Sequence, residues 1–548
     1  MLVYTQTMNP TLRVLLAGLA SGVALAACSP QRDAGAAAAP TPSSAAPAAA
    51  PAGIGWTKAS SDADVDAAFA QARGAGKPVF LYWGAKWCPP CNQLQATLFN
   101  RHDFIERTRG FVPVYIDGDS PGAQKLGARF KVRGYPTVVV FNPAGAELTR
   151  LPGEVDAAQL TEVLTLSMNA QRPLAAVLAD ARSGAAGLTP NDWRLLAFYS
   201  WETDEQQLVP KAQLAQLLKQ LAVACPADQA EAATRLLLKQ LAAAPVSDAG
   251  RADADAATRA RVLTLLADAP RARRHMDVLS NSAVELVAAT SSAGTPERAA
   301  LLAGFDTALK RFEADPGLSR ADRLTALFAR VELARIDQPK DSSVPLPTPL
   351  RDEVREHVAH ADRDIHNGYE RQAVIPFAGH VLQKAGLLDE SDALLQANLA
   401  RSHSPYYLMS ELASNAKKRG DKIAALRWSE QAFEKSEGPA TRLQWGASYV
   451  SALVELAPAD EARIEAAAQR LLGEAGAQPN AFYERSARSM QRIGSRLQAW
   501  NKGAAHAGVM QRLQARLDGV CAALPAGDAQ RGVCEALFKP APAAKGDT

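Results

Sequence analysis

Two cysteines three positions apart, Cys88 and Cys91, sit between a run with the composition of a buried strand, Val79-Phe80-Leu81-Tyr82-Trp83, and a helical stretch reaching Phe99. A Cys-X-X-Cys at a helix start places its first sulfur over backbone N–H groups that have no helical partner, at the positive end of the helix dipole. That setting favours the thiolate, which is the nucleophile. The second sulfur lies one turn further in, where it can attack a mixed disulfide formed by the first. Pro89 and Pro90 are tolerated because first-turn N–H groups lack helical partners anyway, and they stiffen the link between the sulfurs. Trp87 offers a flat apolar surface beside a sulfur expected to be exposed. The competing use of such a pair, half of a zinc site, needs a second ligand pair, and Cys521 and Cys534 lack suitable spacing.

The surrounding residues alternate strand and helix. Val65, Ala68, Phe69 and Ala72 recur at helical spacing in Asp62–Ala75, with glycines closing the helix. Residues 111–117 read as a second strand, 124–130 as a short helix, 137–141 as a strand, and 142–145 as a turn into a returning strand at 147–151. Residues 156–168 read as a final amphipathic helix. This order predicts a mixed sheet with helices on both faces.

The stretch resembles the thioredoxin superfamily of thiol–disulfide oxidoreductases, through Trp87-Cys88-Pro89-Pro90-Cys91, then Gly134-Tyr135-Pro136-Thr137, then Gly153. Lys77-Pro78-Val79 and Thr97-Leu98-Phe99 resemble the periplasmic members closest to the C-terminal domain of the transmembrane disulfide reductase. The resemblance implies that Cys88 and Cys91 are the catalytic pair. It makes Pro136 a cis-proline beside the disulfide, and Trp87, Tyr135 and Pro136 the substrate-binding surface. Pro89, Pro90, Thr137 and Gly153 would support the site. No cofactor beyond the dithiol and no metal is implied; His357, His360 and His366 read as helix-surface residues. One departure stands out. Thioredoxins usually carry a buried Asp six residues before the first active cysteine, and Tyr82 is there instead. Asp117, at a strand end, is a candidate replacement that reads more simply as a solvated loop residue. The acidic Cys-Glu-Pro-Cys signature of the cytochrome c maturation reductases is also missing.

The chain has 548 residues, too many for a single compact core. Its 60 basic and 57 acidic residues leave a net charge of +3, with no electrostatic footprint for nucleic acid. Arg13 is followed by an apolar run ending in Leu25-Ala26-Ala27-Cys28, which reads as a secretory signal over 1–27. It resembles the lipobox of bacterial lipoproteins, which implies lipidation of Cys28 after cleavage. Ser29, in place of Asp, leans toward the outer membrane over the inner. Residues 28–53 are an Ala/Pro-rich tether of at most roughly 80 Å when extended.

Beyond the thioredoxin-like domain, taken as 54–171, the chain reads as helical throughout. Thr189-Pro190-Asn191-Asp192 carries a helix-start signature. The prolines at 339, 345, 347 and 349 suggest a division into 172–338 and 339–548. In the second part Gly386 and Gly420, and Pro405 and Pro439, lie 34 residues apart, resembling degenerate tetratricopeptide repeats, which usually hold a peptide or partner. The expected architecture is an α/β thioredoxin-like domain followed by an all-α repeat domain. The expected function is a lipid-anchored, periplasm-facing thiol–disulfide oxidoreductase of the bacterial envelope. It would exchange disulfides with client proteins selected by the helical region and with an upstream redox partner. The alternative is an envelope scaffold whose helical repeats carry the function. Cys521 and Cys534 can close a structural disulfide and Cys225 reads as a buried free thiol, with pairing of Cys225 to Cys521 or Cys534 left open.

Overall fold

The computed structural model describes residues 53–151, 157–170, 172–184, 187–201, 208–244, 255–339 and 344–539. The expectations for 1–27, the lipidation site Cys28, the tether through residue 52 and the supporting Gly153 lie outside the described residues.

The first part of the described chain is a thioredoxin-like α/β domain. Its elements run β1 (Thr57–Lys58), α1 (Asp62–Ala75), β2 (Val79–Gly84), α2 (Pro89–Thr97), α3 (His102–Thr108), β3 (Val112–Asp117), α4 (Ala123–Phe130), β4 (Thr137–Phe141), β5 (Glu147–Leu151) and α5 (Ala157–Met168). Ser61 starts α1 with a reciprocal capping box to Asp64, and Gly76 ends it at φ 63°. The sheet order is β1-β3-β2-β4-β5. β3 is parallel to β1 and β2, whereas β4 is antiparallel to β2 and β5.

Alternation divides the sheet's side chains between two cores. Val79, Leu81, Trp83, Val139 and Phe141 pack with Val65, Phe69, Leu126 and Phe130 of α1 and α4. Phe80, Tyr82, Val138 and Val140 face the other way, onto Leu94, Leu98, Phe104, Leu160 and Val163.

That second core does not stop at the end of α5. It continues through Leu174, Val177, Trp193, Leu196, Phe198 and Leu217 of the following helices. A boundary at 171/172 therefore runs through shared apolar packing. The remainder is helical. The Thr189–Asp192 capping box forms, and helix Pro190–Phe198 follows it. Between Leu333 and Thr348 the described chain is not helical, and Pro349 lies in the first turn of the next helix, Thr348–Asp364. Further on, helix starts at Leu388 and Lys422, and at Pro405 and Pro439, keep the 34-residue offset. Gly386 and Gly420 both take left-handed backbone, at φ 79° and 77°. Cys521 and Cys534 are joined in a disulfide with Cα atoms 5.7 Å apart, and Cys225 is free and buried. No described helix is long and apolar enough to cross a membrane.

Candidate active site

Cys88 is the N-cap of α2, and its Sγ accepts a hydrogen bond from the Cys91 N–H at 3.3 Å. Cys88 and Cys91 form a disulfide with Cα atoms 5.2 Å apart, and Pro89 opens the helix between them. The Tyr135–Pro136 peptide bond is cis. Tyr135 meets the Trp87 ring edge to face at 5.8 Å, and Thr137 Oγ1 donates to the Gly134 carbonyl at 2.8 Å. The sequence thus brings Trp87, Cys88, Cys91 and Tyr135 into one cluster. Gly118 makes room for it: a Cβ there would lie 2.5 Å from the Tyr135 ring.

Tyr82 takes no carboxylate's place chemically. Its ring stacks on Tyr115 at 5.5 Å and meets Phe99 at 4.8 Å, and burial drives its phenol pKa far above the ordinary value. A phenol held neutral this firmly is no proton acceptor. Asp117 is half-buried, not fully solvated, and pairs in register with Gly84 at the end of β3. Burial holds its carboxyl above the usual range, against a hydrogen bond from the Asp119 N–H.

The exposed sulfur expected from the sequence is not observed. Cys88 is 2% exposed, Cys91 4% and Trp87 5%. The reason is packing from far along the chain. Tyr407 stacks on Trp87 with centroids 5.7 Å apart, and the Arg485 guanidinium lies 4.1 Å from the Trp87 ring centre and 5.1 Å from that of Tyr135. Helix Gly368–Lys384 packs along α2, where Gln372 Nε2 donates to the Trp87 carbonyl at 3.1 Å. His403 Nε2 is 3.0 Å from the Lys86 carbonyl oxygen.

The tightest polar link is Asp119. One of its carboxylate oxygens accepts from Trp87 Nε1 at 2.7 Å and Thr441 Oγ1 at 2.7 Å; the other accepts from the Thr441 N–H at 2.9 Å. Thr441 sits in the first turn of helix Pro439–Leu456, whose own N-cap is Gly438 and has no side chain to offer. Asp119 thus caps a helix 322 residues away. Gly438 is obligatory there: its φ is 90°, and a Cβ would come within 2.5 Å of the Asp119 carboxyl carbon. Sequence reading found neither Asp119, Tyr407, Thr441 nor Arg485. The single local sign was Gly438 before Pro439, a helix start without a capping side chain.

Comparison with known proteins agrees with this geometry over a limited span. A thioredoxin-like domain family matches residues 65–166. Thiol:disulfide interchange protein DsbD 1 of Pseudomonas aeruginosa is 35% identical over 102 residues, covering 18% of this chain and 17% of that protein. Thiol:disulfide interchange protein DsbD of Pseudomonas fluorescens is 32% identical over 94 residues, 16% of each. The chain therefore spans about one-sixth of the length of these curated relatives. A thioredoxin from Thermus thermophilus, solved in solution, is 28% identical and covers 21% of this chain and 85% of its own, with a TM-score of 0.19. Fold, cysteine pair and relatives together support thiol–disulfide oxidoreductase chemistry in residues 65–166.

Proposed function

We propose that this protein exchanges disulfides with other proteins through Cys88 and Cys91. The observation that carries the reading is the Cys88–Cys91 disulfide at the start of α2, beside Trp87, whose ring packs on Tyr135 of the cis Tyr135–Pro136 pair. In the reducing direction the Cys88 thiolate attacks a client disulfide. The Cys88–client S–S bond forms and one client thiolate leaves. The Cys91 thiolate then attacks Cys88 Sγ, re-forming the internal disulfide and releasing the second client thiolate. Two electrons pass to the client, and the reverse sequence oxidises it. No further cofactor takes part. Trp87, Tyr135 and Pro136 form the client-facing surface; Pro89, Pro90 and Thr137 hold it. The protein acts in the bacterial envelope, anchored through a lipid on Cys28, and its degenerate tetratricopeptide-like helices select the client.

Trapping tests the chemistry. Cys91→Ser removes the resolving thiol, so mixed disulfides should accumulate on Cys88, and Cys88→Ser should accumulate few. Equal trapping by the two variants would refute the order of attack.

The burial of the dithiol favours a second reading, an envelope scaffold in which the pair is inert. Under that reading a Cys88→Ala strain behaves as wild type. Under the first, the observed arrangement is a closed form that must open before a protein client reaches Cys88.

A further inference from the structure

The first turn of α2 forms one wall of a cavity of about 620 Å³. Pro89, Pro90 and Gln93 stand on the thioredoxin-like side; the opposite walls come from helices between Met276 and Glu411. The volume is within the range of ligand-binding clefts.

Its chemistry is uneven in a useful way. Phe328 and Phe377 pack edge to face at 5.3 Å and, with Tyr407, give an aromatic wall. Glu285, Asp322, Glu332 and Glu411 also line it, and no lysine or arginine does among its described lining residues. Some of this charge is engaged. Gln93 Nε2 donates to Asp322 at 2.8 Å, Lys384 reaches Glu332 at 3.5 Å from outside the lining, and His380 lies 3.4 Å from Glu411. Glu285 is exposed at the rim. Ser280, 5% exposed, lines the cavity too, and its hydroxyl has no hydrogen-bond partner.

We propose that this cavity receives the segment flanking a client's cysteine, and that it selects a large apolar side chain paired with lysine or arginine. This rests on the thiol–disulfide reading above and specifies its substrate class. The aromatic wall takes the apolar side chain out of water. The carboxylates attract the cation within a partly desolvated space, where charge interactions are stronger than in bulk water. Tyr407 ties the cavity to the chemistry, because the residue that lines it also stacks on Trp87, next to Cys88. A segment held in the cavity raises the local concentration of the client's sulfur at the dithiol.

Calorimetric titration of the full-length protein with cysteine-free hexapeptides tests this. The probe is acetyl-Gly-Lys-Phe-Ser-Gly-Gly-amide, with serine in the cysteine position so that binding is separate from exchange. Replacing its Lys by Glu, or its Phe by Ala, should weaken binding by about tenfold, equivalent to about 1.4 kcal/mol. The protein double variant Glu285→Lys/Glu411→Gln should weaken the Lys-Phe peptide by a similar factor, and Glu285→Asp should retain it. Equal affinity for all three peptides, or no binding at about 1 mM, overturns the proposal. The cysteine-containing peptide, supplied as its disulfide-linked dimer so that Cys88 attack forms the mixed disulfide and releases one peptide thiolate, is run against Cys91→Ser and separates the two claims. Selective binding with no mixed disulfide leaves the cavity standing and sinks the oxidoreductase reading. A mixed disulfide formed equally with all sequences does the reverse.

Discussion

Thr441→Val should open the dithiol. The substitution keeps the shape of a fully buried side chain and removes one hydrogen bond, the 2.7 Å donation from Thr441 Oγ1 to the Asp119 carboxylate. Hydrogen bonds to charged groups contribute about 1.5–3 kcal/mol, and every 1.4 kcal/mol is tenfold in an equilibrium. If Cys88 reacts only from a state in which this contact is broken, the open population rises by about ten- to a hundredfold. The reacting centre keeps its own groups, since Asp119, Trp87 and the α2 N-terminus are untouched. The assay is alkylation of the reduced protein by iodoacetamide, with each cysteine followed by mass spectrometry. Cys225 is the internal control. It is buried in the core shared between the thioredoxin-like sheet and the first helices, and burial and the nearby Asp228 charge push its thiol up to about 11. It therefore reports general loosening and not local opening. Cys88 should accelerate by about tenfold or more while Cys225 stays constant. A Cys88 rate unchanged within about twofold, or a parallel rise at Cys225, refutes the closed-form argument.

Two other outcomes follow from separate parts of the chain. Cys28→Ser should abolish lipidation and shift the protein out of the membrane fraction; unchanged mass and fractionation would contradict the lipobox reading. His275, buried and beside Arg235, is pushed down to about 4 by burial and then by that guanidinium. The unfolded chain therefore takes up a proton there below about pH 6.5 that the folded chain refuses, and stability falls by about 3 kcal/mol as pH drops from 6.5 to 4. His275→Gln should flatten urea-unfolding stability over that window by the same amount, and an unchanged pH slope would rule the assignment out.

The sheet was legible in the sequence because its information is local. Strand β2 alternates between two apolar cores, so the run 79–83 announces itself, and β4 and β5 fall at their expected bounds. Helix starts were legible for the same reason: Ser61 and Thr189 carry their caps within three residues. Pro405 and Pro439, matched in the sequence by their 34-residue spacing, both open helices. What those starts do was not legible. The beginning of a helix leaves N–H groups unsatisfied, and several of these beginnings point at the thioredoxin-like domain, which supplies acceptors to two of them. Asp119 takes the Thr441 N–H; Gln124 Oε1 takes the N–H groups of Arg485 and Ser486 at 3.0 and 3.3 Å, at the start of helix Glu484–Trp500. Gln93 donates to Ser319 and Asp322, the cap and first turn of helix Arg320–Leu333. Tyr407, in the first turn of helix Pro405–Lys418, stacks on Trp87. Helix N-terminal turns therefore make up part of the cover over the dithiol, beside helix Gly368–Lys384 along α2. Each partner pair is separated by more than 200 residues, so no window of sequence contains both the donor and its acceptor. A lone Asp119 after a strand and a lone Gln124 in a short helix look like ordinary surface residues until the helices that need them are in place. The same arrangement explains why burial of Cys88 was missed. The Cys-X-X-Cys motif specifies the geometry of two sulfurs, and it says nothing about what a second body of helices, with donors to satisfy, will be laid against them.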